Sequence, residues 1–149
     1  MGIKEDIKQP KFENNKIMAM VNVYYTANWM RDRELPVYKK YGILSQHYNV
    51  LRILRGKYPE SVSPGEIKKV MLDKGRDLTR LVDKLVKLGY LTRKLCPHNR
   101  RKMEIMINQT GLDVIDSISK ESSVIFDSIN LTESEAEQLS ELLDKFRII

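Results

Sequence analysis

Residues 78 to 91 read Leu78-Thr79-Arg80-Leu81-Val82-Asp83-Lys84-Leu85-Val86-Lys87-Leu88-Gly89-Tyr90-Leu91. Leu78, Leu81, Val82, Leu85 and Val86 recur at helical intervals and form one apolar stripe. Arg76, Thr79, Arg80, Asp83, Lys84 and Lys87 fall on the opposite side, a basic outer face. The spacing predicts a helix from about Arg76 to Leu88. Gly89 ends it, where a chain leaving a helix favours a left-handed residue.

Working outward, Ser63-Pro64-Gly65-Glu66 announces another helix start. It places a capping serine, a proline at the first helical position and a glutamate at the third, so that serine and glutamate oxygens accept from otherwise orphaned amides. This short helix carries Ile67, Val70, Met71 and Leu72 and ends near Asp73-Lys74-Gly75. Two helices joined by a tight glycine-containing turn make a helix-turn-helix. Beyond Gly89 the period changes, and Tyr90–Leu95 and Met103–Ile107 read as two short strands. The residues between them, Cys96-Pro97-His98-Asn99-Arg100-Arg101-Lys102, read as a basic hairpin tip. Helix-turn-helix plus basic hairpin is a winged helix.

The flanks are helical. Ile17, Val21, Tyr24, Tyr25, Asn28 and Trp29 predict a first helix from about Asn14 to Glu34, with Pro36 as its boundary. Ser45 is read as the cap of a second helix, through about Arg55, with Tyr48, Leu51 and Leu54 inward. Lys57 to Val62 is read as a loop. Asn108 caps a long helix bearing Leu112, Ile115, Ile118, Ile125, Phe126 and Ile129. A second capping box, Thr132-Glu133-Ser134-Glu135, opens a last helix with Leu139, Leu142, Leu143 and Phe146 on one face. The expected fold is mainly α (α+β): a winged helix-turn-helix over about 42–108, with about 14–34 and 109–149 forming a helical dimerisation lobe of one domain.

Charge follows the same division. Residues 74 to 102 hold 10 Lys/Arg against 2 Asp/Glu, whereas residues 103 to 149 hold 3 against 10. A basic middle is the footprint expected of a polyanion-binding face, and the acidic end is kept away from phosphate. No apolar run is long enough for a membrane span, and the charged start lacks a signal-peptide core. The single cysteine, Cys96, fits a reducing compartment, so the expected location is the cytoplasm.

The set of motifs resembles the MarR family of transcription regulators. The stretch from Leu78 to Leu91 is similar to the family's recognition-helix pattern, V-T-R-L-V-D-R-L-E-x-x-G-L-V. Asn99-Arg100-Arg101 resembles the wing motif Asp-Arg-Arg, and Ile107-Asn108-Gln109-Thr110-Gly111 the step Leu-Thr-x-x-Gly. Gly42-Ile43-Leu44-Ser45 and Tyr48-Asn49-Val50-Leu51 fit the start of the family's second helix. Two positions depart. Asn99 replaces the wing aspartate, leaving a neutral hydrogen bond to Arg101 in place of an ion pair. Asn108 replaces threonine but caps a helix equally well.

The resemblance implies a homodimer that binds double-stranded DNA at a pseudo-palindromic operator, as a repressor. Arg76, Thr79, Arg80 and Lys84 would meet phosphates and base edges in the major groove, with Arg80 reading guanine bidentately. Asn99, Arg100, Arg101 and Lys102 would supply wing contacts to phosphate and minor groove. The apolar faces of the terminal helices would pack on a second copy, setting two recognition helices about 34 Å apart. The family layout allows a small-molecule effector, for which Met18, Met20, Tyr24 and Tyr25 could line a pocket; core packing or dimer contact is the competing role.

No phosphate loop, nucleophile motif or metal-ligand spacing is present, and His47 and His98 have no partner pattern. The chain is therefore read as no enzyme, with no cofactor and no metal, and Cys96 as a packed residue. Two other classes stay open: a winged-helix protein-interaction module and a non-specific architectural DNA binder.

Overall fold

Side-chain caps start most of the helices in the computed structural model, which describes residues 1–148 and all their side chains except that of Arg100. The order is α1 (Ile3–Asp6), α2 (Asn15–Lys40), α3 (Ser45–Lys57), α4 (Pro64–Val70), α5 (Leu78–Lys87), β1 (Leu91–Cys96), β2 (Asn99–Ile107), α6 (Gln109–Asp127) and α7 (Glu133–Phe146). Asn14 accepts from the Ile17 amide at 3.0 Å and Asp77 from that of Arg80 at 3.3 Å. Ser63 and Glu66 bond reciprocally, as do Thr132 and Glu135, forming the two capping boxes that the sequence announces.

Several boundaries differ from the sequence reading. The arm before α2 contains the one-turn α1, whose Ile3 is buried. Pro36 does not end α2, which continues to Lys40. An interior proline costs about 3 kcal/mol. Burying Val37 and Tyr38, each worth about 1.5–3 kcal/mol, offsets it. Ser45 is not the cap of α3 either: Leu44 holds that position, and its amide donates to His47 Nδ1 at 3.0 Å. In α4 only Ile67 turns inward, joined by Met71 just beyond it, while Val70 and Leu72 are exposed.

The core lies where α3, α5 and α6 meet the strands. Leu51, Leu54, Ile67, Leu85, Ile105, Ile107, Ile115 and Ile118 are fully buried there. β1 and β2 pair antiparallel from Leu91↔Ile107 to Leu95↔Met103. The expected loop before α4 adds an isolated antiparallel bridge to β2, because Val62 exchanges both backbone hydrogen bonds with Ile105, at 2.8 and 2.9 Å. Outside this body, the first half of α2, the end of α6 and all of α7 contribute no buried side chain beyond Ser122. Phe126, Ile129, Leu139, Leu142 and Phe146 are exposed in the single chain.

Gly111, near the start of α6, permits the closest approach in the body. A Cβ there would stand 2.3 Å from the Tyr90 carbonyl oxygen and 2.7 Å from Ile107 Cγ1. Gly65, inside α4, would meet nothing within 4 Å. Gly111→Ala should therefore cost about 2 kcal/mol or more through overpacking, while Gly65→Ala should stabilise by about 0.5 kcal/mol. Urea titrations of both variants check the pair of opposite signs.

Candidate nucleic-acid interface

The buried stripe of α5, with Leu78, Leu81, Val82 and Leu85, packs against the core and turns Thr79, Arg80, Asp83, Lys84 and Lys87 outward. Arg80 is the most open of the arginines in ion pairs among the described residues, with 88% of its side chain exposed and a carboxylate neighbour, Asp77, at 3.7 Å. Such an exposed pair is weak, so the guanidinium is available to a ligand. Arg76 is not on this helix. It sits in the turn before Asp77, where Nε donates to Asp73 at 2.9 Å, because the Asp77 cap starts α5 at Leu78, two residues later than the expected start at Arg76.

Asp83 does not neutralise Arg80 or Lys84. It pairs with Arg93 of β1, which ties the recognition helix to the wing. The sequence reading missed Arg93; the only signal was the placement of both residues on elements that meet across Gly89. This pair offers the bracing that Asn99 cannot. Asn99 accepts from the Arg101 backbone amide at 3.1 Å, so the neutral hydrogen bond forms through the main chain.

The wing tip is shorter than the spacing predicts. Only Pro97 and His98 form the turn, and Asn99, Arg100, Arg101 and Lys102 belong to β2. Leu95 pairs with Met103 but Cys96 pairs with Asn99, so the register shifts between these two pairs at a bulge or irregularity. The side chain of Arg100 lies outside the described residues. Arg101 is exposed, and Lys102 is exposed in the outer part of β2, where its charge reaches Glu66 of α4. The Glu66 carboxyl is held below its ordinary value, first by the Ser63 amide and hydroxyl and then by the charges of Lys102 and Lys57.

A cavity of about 210 Å³ opens between α2, the start of α3 and the turn before α5. Arg31, Leu35, Tyr38, Leu44, Ser45, Gln46 and Arg76 line it. Met18, Met20, Tyr24 and Tyr25 are not among these; they lie further up α2, with Met20, Tyr24 and Tyr25 exposed. Among the described residues no group of three or more His, Cys, Asp or Glu stands close enough to hold a metal ion, and no helix is long and apolar enough to cross a membrane.

A solvent-facing cationic helix beside a basic two-stranded wing defines a winged-helix regulator. No family model matches the chain. Over 109 residues, 72% of each chain, it is 31% identical to the HTH-type transcriptional regulator SarZ of Staphylococcus epidermidis. It superposes with a TM-score of 0.73, at 26% identity, on a mutant of MarR from E. coli complexed with operator DNA, covering 93% of this chain and 100% of that one. The organohalide-sensing regulator RdhR, in a form bound to 2,4-dichlorophenol, shares the fold with a TM-score of 0.82 at 14% identity, covering 93% of this chain and 85% of that one. The chain belongs to the MarR family: it is a DNA-binding transcription regulator and not an enzyme.

His47 sits directly behind this interface. Burial first, and then the charge of Lys84, hold its imidazole below the ordinary 6.5. A proton on Nδ1 would also destroy the acceptor for the Leu44 amide. A lowered pKa means stability that is present above about 6.5 and lost as pH falls toward the folded value. The carboxylates of Glu66 and Glu135, held below 4.5 by their caps, lose their contribution only in stronger acid. The melting temperature should therefore drop as the pH falls below about 6.5, and His47→Gln should flatten that step while leaving the acid limb unchanged.

Proposed function

We propose that the chain is a cytoplasmic repressor that binds a pseudo-palindromic operator as a homodimer and blocks access of polymerase. The carrying observation is the open Arg80 guanidinium on the face of α5 opposite its buried stripe, beside a basic wing. In this reading Arg80 takes guanine O6 and N7, the commonest specific contact in the major groove. Thr79 and Lys84 meet the groove edge and phosphates, and Arg76, off the helix, reaches a phosphate. Asn99, Arg100, Arg101 and Lys102 carry the wing contacts to phosphate and minor groove.

The dimer is inferred from apolar side chains that the single chain leaves uncovered. Phe126 and Ile129 of the α6 end, with Leu139, Leu142 and Phe146 of α7, join Met20, Tyr24 and Tyr25 of α2. So many exposed apolar residues on the terminal helices call for a partner face. The whole chain is then one domain, with residues of about 42–108 reading DNA and those of about 14–34 and 109–149 making the lobe. A small-molecule effector is assigned to the cavity between α2 and α3. Arg31 and Arg76 there favour an anionic ligand, and occupation would act on the turn that leads into α5.

Sedimentation equilibrium at micromolar concentration should give twice the chain mass, and a monomer would refute the dimer. For DNA, Arg80→Ala should lower operator affinity by about 1–3 kcal/mol per site, roughly doubled in the dimer, with little effect on random duplex. Arg101→Ala should weaken both duplexes and make the slope of log K against log[salt] shallower by about one unit for each phosphate no longer engaged. Salt titrations of each variant on both duplexes make the distinction. Equal weakening on both duplexes for Arg80→Ala would reverse the assignment.

A further inference from the structure

Two helix C-termini meet at one joint in this chain. α2 closes at Tyr41, followed by Gly42 at φ 73°, and α5 closes at Leu88, followed by Gly89 at φ 81°. Both ends use the same pair of returning amides. Gly42 and Ile43 bond back to Lys39 and Tyr38 at 3.1 and 3.2 Å, and Gly89 and Tyr90 to Val86 and Leu85, both at 3.0 Å. A side chain at either glycine would be strained. The two ends also touch, since a Cβ on Gly42 would stand 3.6 Å from Leu88 Cδ2.

Like ends of two helices repel weakly and leave carbonyls without intrahelical partners. Two donors supply what is missing. Asn108 Nδ2 donates to the Gly89 carbonyl at 2.8 Å. The Tyr90 hydroxyl donates to the Tyr41 carbonyl at 2.8 Å. Tyr41 is itself fixed to α6, because its hydroxyl donates to Glu121 at 2.6 Å, and the other Glu121 oxygen accepts from Lys40 at 2.6 Å. One phenol, bolted by its own backbone to the end of the recognition helix, therefore hangs that helix from α2 and, through Tyr41, from α6.

We infer that Tyr90 is a specificity-determining positioning residue whose hydroxyl sets the separation of half-sites the regulator accepts. The inference rests on the homodimer reading above. The Leu88–Gly42 contact is non-directional and allows the two ends to roll on each other, whereas a hydrogen bond is directional and opposes the roll. A roll of about 10° would move the far end of a ten-residue helix, about 15 Å away, by about 2.6 Å. That is most of the rise of one base pair, about 3.4 Å. A loosened joint would let each recognition helix follow a half-site displaced by one pair. Phosphate contacts and base readout would remain intact.

The experiment selects bound duplexes from one random pool with the full-length wild type and with Tyr90→Phe, which keeps the ring and removes the hydroxyl. Both should return the same half-site. In the variant, duplexes whose half-sites lie one base pair from the preferred separation should rise about fivefold relative to the preferred one, the effect of removing one ordinary hydrogen bond. Affinity for random duplex should stay within twofold. An unchanged spacing distribution from a protein that sediments as a dimer would overturn the role of Tyr90, and so would a changed half-site sequence. Single half-sites recovered with wild type would instead overturn the dimer reading, and the inference with it.

Discussion

Asn108 makes the connection on which the reading head depends. Its Oδ1 accepts from the Gly111 amide at 3.0 Å and starts α6, while its Nδ2 donates to the Gly89 carbonyl at the end of α5. Its backbone amide reaches the Tyr90 carbonyl at 3.2 Å. A single side chain thus satisfies orphan groups at the start of one helix and the end of another. Asparagine caps through one atom and donates through another, so the two bonds can point in different directions. The arrangement closes only because Gly111 lacks a Cβ, which lets α6 come down onto the root of the wing.

From that closure the electrostatics follow. The recognition helix and the wing leave Gly89 in different directions, and Asp83 and Arg93 rejoin them across the gap. The pair is exposed and contributes little to stability. Its effect is on placement: it engages one of the two carboxylates in the stretch from Lys74 to Lys102, on the exposed side of α5. The other, Asp77, is engaged as the cap of α5. The basic segment reaches solvent with its few acids already occupied. Many of the remaining carboxylates follow Lys102, on helices whose apolar faces the single chain leaves open.

Much of this was legible in the order of residues. Capping boxes, the stripe of α5, the stop at Gly89 and the change of period after it depend on interactions within a few positions, so local sequence determines them. The MarR-like motif set lies within the same stretch, and both relatives and fold agree with it. Boundaries failed where distant contacts outweighed local preference. Pro36 argues for an end, yet burial of Val37 and Tyr38 carries α2 four residues further. Val62 carries no strand signal, and only the approach of Ile105 recruits it into the sheet.

The candidate DNA-binding residues divide in the same way. That Arg80 and Lys84 face away from the core is a property of 3.6-residue periodicity, and the sequence alone determined it. That Arg76 leaves the helix to meet Asp73, that Asp83 belongs to Arg93, and that the strand register shifts between Leu95 and Cys96 were decided by the tertiary structure. So was the joint between the ends of α2 and α5, where Tyr90 and Tyr41 are 49 positions apart in the chain. Periodicity specifies which side of an element faces inward. Which side chains then meet depends on how elements distant in sequence pack around a shared core, and no local pattern encodes that.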